Sequence, residues 1–410
     1  LHSQLFDKKA KMKIKNIHLF TATLLAVFAL TSCNKEGCTD SAATNYDENA
    51  DTDDGTCDFA VVTPDEYVFT DADGNSTVNF DGQRQRLNML SEMTVYLKTA
   101  NTPGTALDGA TLISMYGNDG YTWDDPEDLG MTGSSKQLRS KTVGGDAFWT
   151  ETFEGFMNGI ADASAQTVTD ETSGSAGVAG VVASTTSDSK YLQSAQGQEW
   201  TQLIEKGLMG ACFYYNISSV YLASGKMDVD NTVAVDAAGG KYYTAMEHHW
   251  DEAYGYFTDA TNYPATGANR FWGKYANSRE ELLSSASRLS AAFRTGRAAI
   301  SQNLLAERDA QIAIINRELE RASAGTAIHY LNDALDNYAD DALRNHELSE
   351  AKAFIMALQF GANTSVDTDA VNHLLEDLGE DYYNVTTAQI TEVRDELAAL
   401  TGLTEFATAL

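Results

Sequence analysis

Glu247-His248-His249-Trp250-Asp251-Glu252-Ala253-Tyr254-Gly255-Tyr256-Phe257 is the stretch whose reading decides what kind of protein this is. Two histidines stand side by side in it, flanked by three carboxylates and followed by aromatic residues. At helical spacing, Met246, His249 or Trp250, Ala253 and Phe257 share an apolar side, which predicts a helix over Lys241–Thr258. His248 and Glu252 are four apart, and His249 and Glu252 three apart. Either pair stacks on one helix face within reach of a single ion. A mixture of carboxylate and imidazole suits Fe, Zn or Mn, and Glu-x-x-His pairs hold iron or manganese in helical bundles with this geometry. One helix supplies at most three good ligands. Glu151 and Glu154, three apart on another aromatic segment, are candidates to complete such a site. The same pattern also fits the edge of a packed core, with Glu252 as hydrogen-bond partner of the histidines. Both readings stand at this stage.

On both sides of this stretch the pattern stays helical. No proline follows Pro264. Ser278, with Glu281 three residues on, is a capping signal opening a run to about Ala322. Within it Leu282, Ala286, Leu289, Phe293, Gly296, Ile300 and Leu304 recur at steps of four and three, a packing stripe. Gly296 costs about 1 kcal/mol against Ala in a helix, so a second backbone or a bound group is expected to approach there. Further helices are expected near 325–345, 349–360, 367–378 and 387–401. Upstream, helices are expected over Gln83–Ala100 (with Leu87, Leu90, Val95 and Leu97 on its stripe), Ala106–Tyr116, Asp146–Ala161 and Glu199–Leu222. Gly117–Thr142 and Gln166–Ser189 read as loops. Tyr67-Val68-Phe69 and Thr77-Val78-Asn79-Phe80 flank turn residues and predict a small hairpin over 65–82. The fold class is all-α: a helical bundle with a small N-terminal β-hairpin.

The 410 residues suffice for a large core. With 28 basic and 59 acidic residues the net charge is −31, which argues against nucleic acid as a partner because phosphates are repelled. From Met12 the chain reads Lys13, Lys15, an apolar run Leu19–Leu30, then Leu30-Thr31-Ser32-Cys33. The run is short for a membrane span and has the layout of an export signal. Its end resembles the lipobox of bacterial lipoproteins, which implies cleavage before Cys33 and a lipid on that residue. Residues 1–32 are then a signal peptide, with 1–11 an upstream mis-start. Their removal takes away five Lys and one Asp and moves the net charge from −31 to −35. The expected location is the cell envelope, at the outer membrane, with membrane lipid as the partner reached through Cys33.

Residues 33–60 form an acidic tether in which Cys38 and Cys57 are expected to pair, since the compartment is oxidising. Closing a loop of this length contributes roughly 3 kcal/mol in the chain-entropy description. Asp40, Asn45, Asp47, Asp51, Asp53 and Asp54 offer oxygens for Ca²⁺, although Gly55 is out of register for an EF-hand. A solvated, disulfide-closed spacer explains the segment equally. Cys212 is left over as a buried thiol.

Tyr67–Phe69, Phe80-Asp81-Gly82-Gln83-Arg84, Arg86-Leu87-Asn88-Met89-Leu90 and Met246–Phe257 resemble the lipoprotein family labelled domain of unknown function 4856, over about residues 61–405. That family resembles imelysin, whose members are helical, iron-regulated envelope proteins. The resemblance implies an imelysin-like bundle and a role in iron or haem acquisition beside an envelope uptake system. The imelysin Gly-x-His-x-x-Glu motif falls on Glu247, His249 and Glu252, with Glu247 in place of Gly. That departure weakens a peptidase reading and adds a carboxylate. The expectation is therefore a non-catalytic metal-binding lipoprotein, with no catalytic residues. His249 and Glu252 are its ligands, and His248 and Glu247 are further ligands or orienting groups. The alternatives are an imelysin-type metallopeptidase and a metal-free scaffold. His-Glu-x-x-His, Gly-x-Ser-x-Gly and P-loop signatures are missing.

Overall fold

The structure, a computed structural model, describes residues 35–41, 43–170, 173–265 and 269–410, with the side chains of 169 and 170 left out. The expected signal peptide and the expected lipidation site at Cys33 lie outside the described residues. The chain divides between Ala60 and Val61 into two compact units.

In the first unit, β1 (Glu36–Gly37) pairs in parallel with β2 (Thr52–Asp53). A disulfide joins Cys38 to Cys57 across 19 residues. The acidic side chains serve the loop itself. Asp47 pairs with Lys35 at 2.5 Å and accepts from the Asn49 amide. Asp53 accepts from Gly55 N–H, Asp54 from Thr56, and Asn45 bridges Thr56 and Asp58. Asp51 accepts from Lys35 N–H. These are turn-closing bonds of the kind Asp and Asn make with their own backbone.

The second unit is helical: α1 (Asp81–Thr99), α2 (Gly109–Gly117), α3 (Ala147–Asp170), α4 (Trp200–Leu208), α5 (Ser224–Met227), α6 (Ala245–Phe257), α7 (Phe271–Ser278), α8 (Glu280–Leu283), α9 (Ser285–Ser301), α10 (Leu305–Asp336), α11 (Asp341–Ala357), α12 (Thr368–Leu378) and α13 (Thr387–Leu400). The axis of the unit is α10. At about 1.5 Å per residue it runs roughly 48 Å, packed along α9 and α11 and against α13. Among the described residues no helix is long and apolar enough to cross a membrane.

Several boundaries differ from expectation, each for a local reason. The run expected from Ser278 is cut at Ser284 and Asn303, both in the left-handed region (φ 55° and 58°), so α8, α9 and α10 are separate. α3 extends to Asp170, with the Ser164 and Thr167 hydroxyls turned back onto helix carbonyls and accepting from Leu107 and Gly104 N–H groups, which ties this stretch to the segment before α2. A Ser/Thr-rich composition thus hides helix rather than loop. The rest of that expected loop contains β3 (Gly180–Ala183), which pairs antiparallel with β4 (Lys190–Gln193) just past the loop's expected end. The hairpin expected over 65–82 closes as a turn on Asp71, with one bridge between Thr70 and Ser76. Beyond the turn, Tyr67 and Phe69 go into the helical core. α4 continues as two wide π-helical segments, Met209–Tyr214 and Asn216–Tyr221. On α1, Leu87, Leu90, Met93 and Leu97 are buried, whereas Val95 is 68% exposed.

Candidate functional site

α6 begins at a reciprocal cap: Thr244 accepts from Glu247 N–H, and the Glu247 carboxylate accepts from Thr244 N–H. This cap fixes the start of the helix and thereby sorts the quoted stretch onto two faces.

One face is an ionic core. Arg297, on α9, is wholly buried. Its Nε donates to Asp251 at 2.9 Å and its Nη1 to Glu247 at 2.7 Å, while Nη2 donates to the carbonyl and hydroxyl of Thr77. Tyr67 hydroxyl and Asn79 N–H also donate to Asp251, and Ser301 to Glu247. Phe69 lies 4.8 Å from the guanidinium, ring to cation. Burial works to raise the Glu247 carboxyl, but Arg297 and the Thr244 N–H outweigh it and hold the group below its ordinary range. Trp250 donates to Phe293 carbonyl, and its indole fills the space above Gly296. The close neighbour expected at Gly296 is therefore a side chain, not a backbone or a bound group.

The other face carries His248, His249 and Glu252. His249 Nδ1 lies 3.1 Å from Glu252 Oε2, and Gln83 Nε2 donates to Glu252 Oε1 at 3.1 Å. His248 Nδ1 is 3.1 Å from Asn79 carbonyl, so that nitrogen carries the proton, and the ring stacks on Tyr243. Lys141 Nζ donates to Tyr221 hydroxyl at 3.0 Å, and Tyr221 lines the same cavity as Glu252. Burial works to raise Glu252, yet the hydrogen bonds from His249 and Gln83 and the field of His248 hold it down at about 2. Burial lowers His248. α6 reaches this position because Gly255 lies against the start of α1: a Cβ there would stand 2.5 Å from that of Phe80 and 3.0 Å from that of Gln83.

These groups wall a cavity of about 170 Å³, lined by Asn79, Gly82, Gln83, Arg86, Lys136, Lys141, Tyr221, His248 and Glu252. Its lining is almost wholly polar. Of its residues, only His248 and Glu252 stood out in the sequence as site residues. Tyr221 arrives on the π-helical extension of α4. Arg86 had a legible signal, since 86, 90, 93 and 97 follow steps of four, three and four, which puts an arginine on the apolar stripe of α1. Lys136 and Lys141 come from the expected loop and carried none.

The four expected metal ligands do not converge. His249 and Glu252 meet, His248 turns to Asn79, and Glu247 belongs to Arg297 on the opposite face. His249 and Glu252 thus supply two ligands, where zinc sites draw three or four from the protein. Glu154, expected to complete the set, pairs with Arg139 at 2.6 Å. Among the described residues, three ligand atoms come within 4.8 Å of one another only at His373, Asp377 and Glu396, on the outer surface of α12 and α13. No such group forms among the described acidic side chains of residues 35–60. Cys212 is a buried free thiol whose pKa burial pushes up to about 12, so it is inert as a nucleophile.

Residues 64–404 match the family described as Domain of unknown function (DUF4856), and the chain belongs to that family. No curated protein and no solved structure matches it.

Proposed function

We propose that this DUF4856 protein is a non-catalytic binding protein of the cell envelope, exported and held at the membrane by a lipid on Cys33. Its ligand site is the polar cavity between α1, α6 and the Lys136–Lys141 segment. The observation that carries this reading is the mutual engagement of the cavity's polar groups: His249 and Gln83 both hold Glu252, and Lys141 holds Tyr221 on the same cavity wall. A carboxylate held down at about 2 is far from the near-neutral pKa of an effective general base. Such a group positions and discriminates. The imelysin-type peptidase reading has less support, since it requires an open metal site with a poised base.

A second reading is favoured by the His249–Glu252 contact alone. With Nδ1 turned to the carboxylate, Nε2 of His249 is left to act as a ligand in a carboxylate–histidine–metal arrangement. In this reading the protein carries Fe, Zn or Mn for iron acquisition, and the cargo supplies the missing ligands. Haem is too large for a cavity of about 170 Å³. Metal analysis of gently purified protein separates the two readings. The proposal expects no stoichiometric metal lost on His249→Ala, with any weak Zn²⁺ binding abolished by His373→Ala. Stoichiometric Fe, Zn or Mn that disappears in His249→Ala would favour the second. Incorporation of labelled palmitate, abolished by Cys33→Ser, tests the anchor.

A further inference from the structure

The cavity beside α6 has a charge opposite to that of the chain. The protein has 59 acidic and 28 basic residues, yet Arg86, Lys136 and Lys141 gather around one cavity whose lining has a single carboxylate, Glu252. Among the described residues none of the three cations forms an ion pair with a carboxylate. Arg86 is only 5% exposed. Its Nε donates to Gln137 carbonyl at 2.9 Å and its Nη1 to Gly82 carbonyl at 3.0 Å. The guanidinium is thus locked in orientation by neutral groups, and Nη2 has no hydrogen-bond partner among the described residues. A buried cation without a counter-charge is costly unless something anionic completes it.

The other cations converge on the same spot. Lys136 Nζ and Arg86 Nη1 stand 3.5 and 3.7 Å from the point where a Cβ on Gly82 would be. A Cβ at Gly82 would touch both cationic groups and press on Lys136 Cε at 3.2 Å. Gly82 and Gln83, which line the cavity, are also in the first turn of α1, a 19-residue helix whose N-terminal partial positive charge is shared with Asp81. Lys141 sits over Tyr221, with burial and then the field of Arg86 lowering its pKa. Asn79 and Gln83 amides complete a polar wall.

We infer that this cavity binds a small oxyanion, a phosphate or a carboxylate group, held by Arg86, Lys136 and Lys141. Arg86 offers the planar fork that matches either group, and the lysines supply point charge. At about 170 Å³ the cavity has roughly the liquid volume of five or six waters at ~30 Å³ each. It takes inorganic phosphate or a small dicarboxylate and excludes a peptide or a porphyrin. Glu252, fixed by His249 and Gln83, stands on the wall as a selectivity element that limits how much negative charge enters. The inference does not depend on the metal reading: it requires no ion at His249.

The test is isothermal titration of the full chain in low-salt, metal-free buffer with inorganic phosphate and, separately, with succinate. One-to-one saturable binding of either probe, weakening as salt rises, supports the site. Phosphate alone identifies a phosphate pocket, and succinate alone a carboxylate pocket. Lys136→Gln/Lys141→Gln, which leaves Arg86 and its buried hydrogen bonds in place, is expected to weaken binding by about tenfold or more, as loss of charge-assisted bonds does. Its thermal unfolding is measured alongside to show that the fold is kept. No saturable binding of either probe to wild type overturns the inference. So does binding unchanged in the folded double variant, or binding that appears only when Zn²⁺ or Mn²⁺ is added.

Discussion

The two faces of α6 use the same residue types for opposite purposes. On one face, Glu247 and Asp251 meet a guanidinium that is wholly enclosed, with Tyr67, Thr77, Asn79 and Ser301 taking up the remaining bonds. Nothing there is left for a ligand. On the other face, one carboxylate, Glu252, stands among three basic side chains, and the charges do not balance. Charged groups whose hydrogen bonds are all taken up within the core mark structure, and unpaired cations beside a cavity mark binding. Adjacent residues on one helix fall into the two classes because a 100° step turns 247 and 251 inward and 248 and 252 toward the cavity.

The largest effect is expected at Arg297. Arg297→Ala leaves two buried carboxylates without their counter-charge and is expected to destabilise the second unit by about 3–5 kcal/mol, read from urea unfolding. A loss below about 1 kcal/mol would show that the ionic core is not the structural face. Gly296→Ala comes next. Its methyl group would collide with the enclosed Trp250 indole, and overpacking of this kind costs about 1–3 kcal/mol. Differential scanning calorimetry should register a lower Tm, with the cavity's ligand affinity preserved.

On the cavity face the effects are smaller and depend on pH. Glu252 is held at about 2 when folded against about 4.3 unfolded. A depressed carboxyl contributes stability that is fully present above the unfolded value and is lost as pH falls from there toward the folded value. Glu252→Gln should therefore cost about 1–2 kcal/mol at pH 7 and flatten the stability profile between about pH 4.3 and 2. A profile as steep as wild type would mean that another group carries that acid sensitivity. His249→Ala, at the rim, is expected to cost about 1 kcal/mol or less at neutral pH in the same unfolding assay.

The helical class was legible because it rests on periodicity, which Leu282–Leu304 and Met246–Phe257 display openly. The disulfide was legible because Cys38 and Cys57 were the remaining cysteines near enough in sequence. Boundaries were less so. Ser284 and Asn303 break the long run through left-handed backbone that no periodicity signals, and Ser164 and Thr167 carry α3 through loop-like composition. The site was half legible. The His249–Glu252 contact follows from a three-residue spacing on one helix. The destination of Glu247 does not, since Arg297 lies fifty residues away on α9. Lys136 and Lys141 were invisible for the same reason: their meaning comes from sharing a cavity with Arg86, which only tertiary packing creates.

The account turns on the sign of charge that the cavity accepts, and Glu252→Gln reads that sign directly. In metal-free titration with inorganic phosphate, removing the one carboxylate from the cavity should tighten binding by about tenfold, the scale of a unit charge a few ångströms from the ligand at intermediate dielectric. Phosphate binding that is lost or weakened in Glu252→Gln, in a protein that still unfolds cooperatively, would contradict the account and return the cavity to the cations.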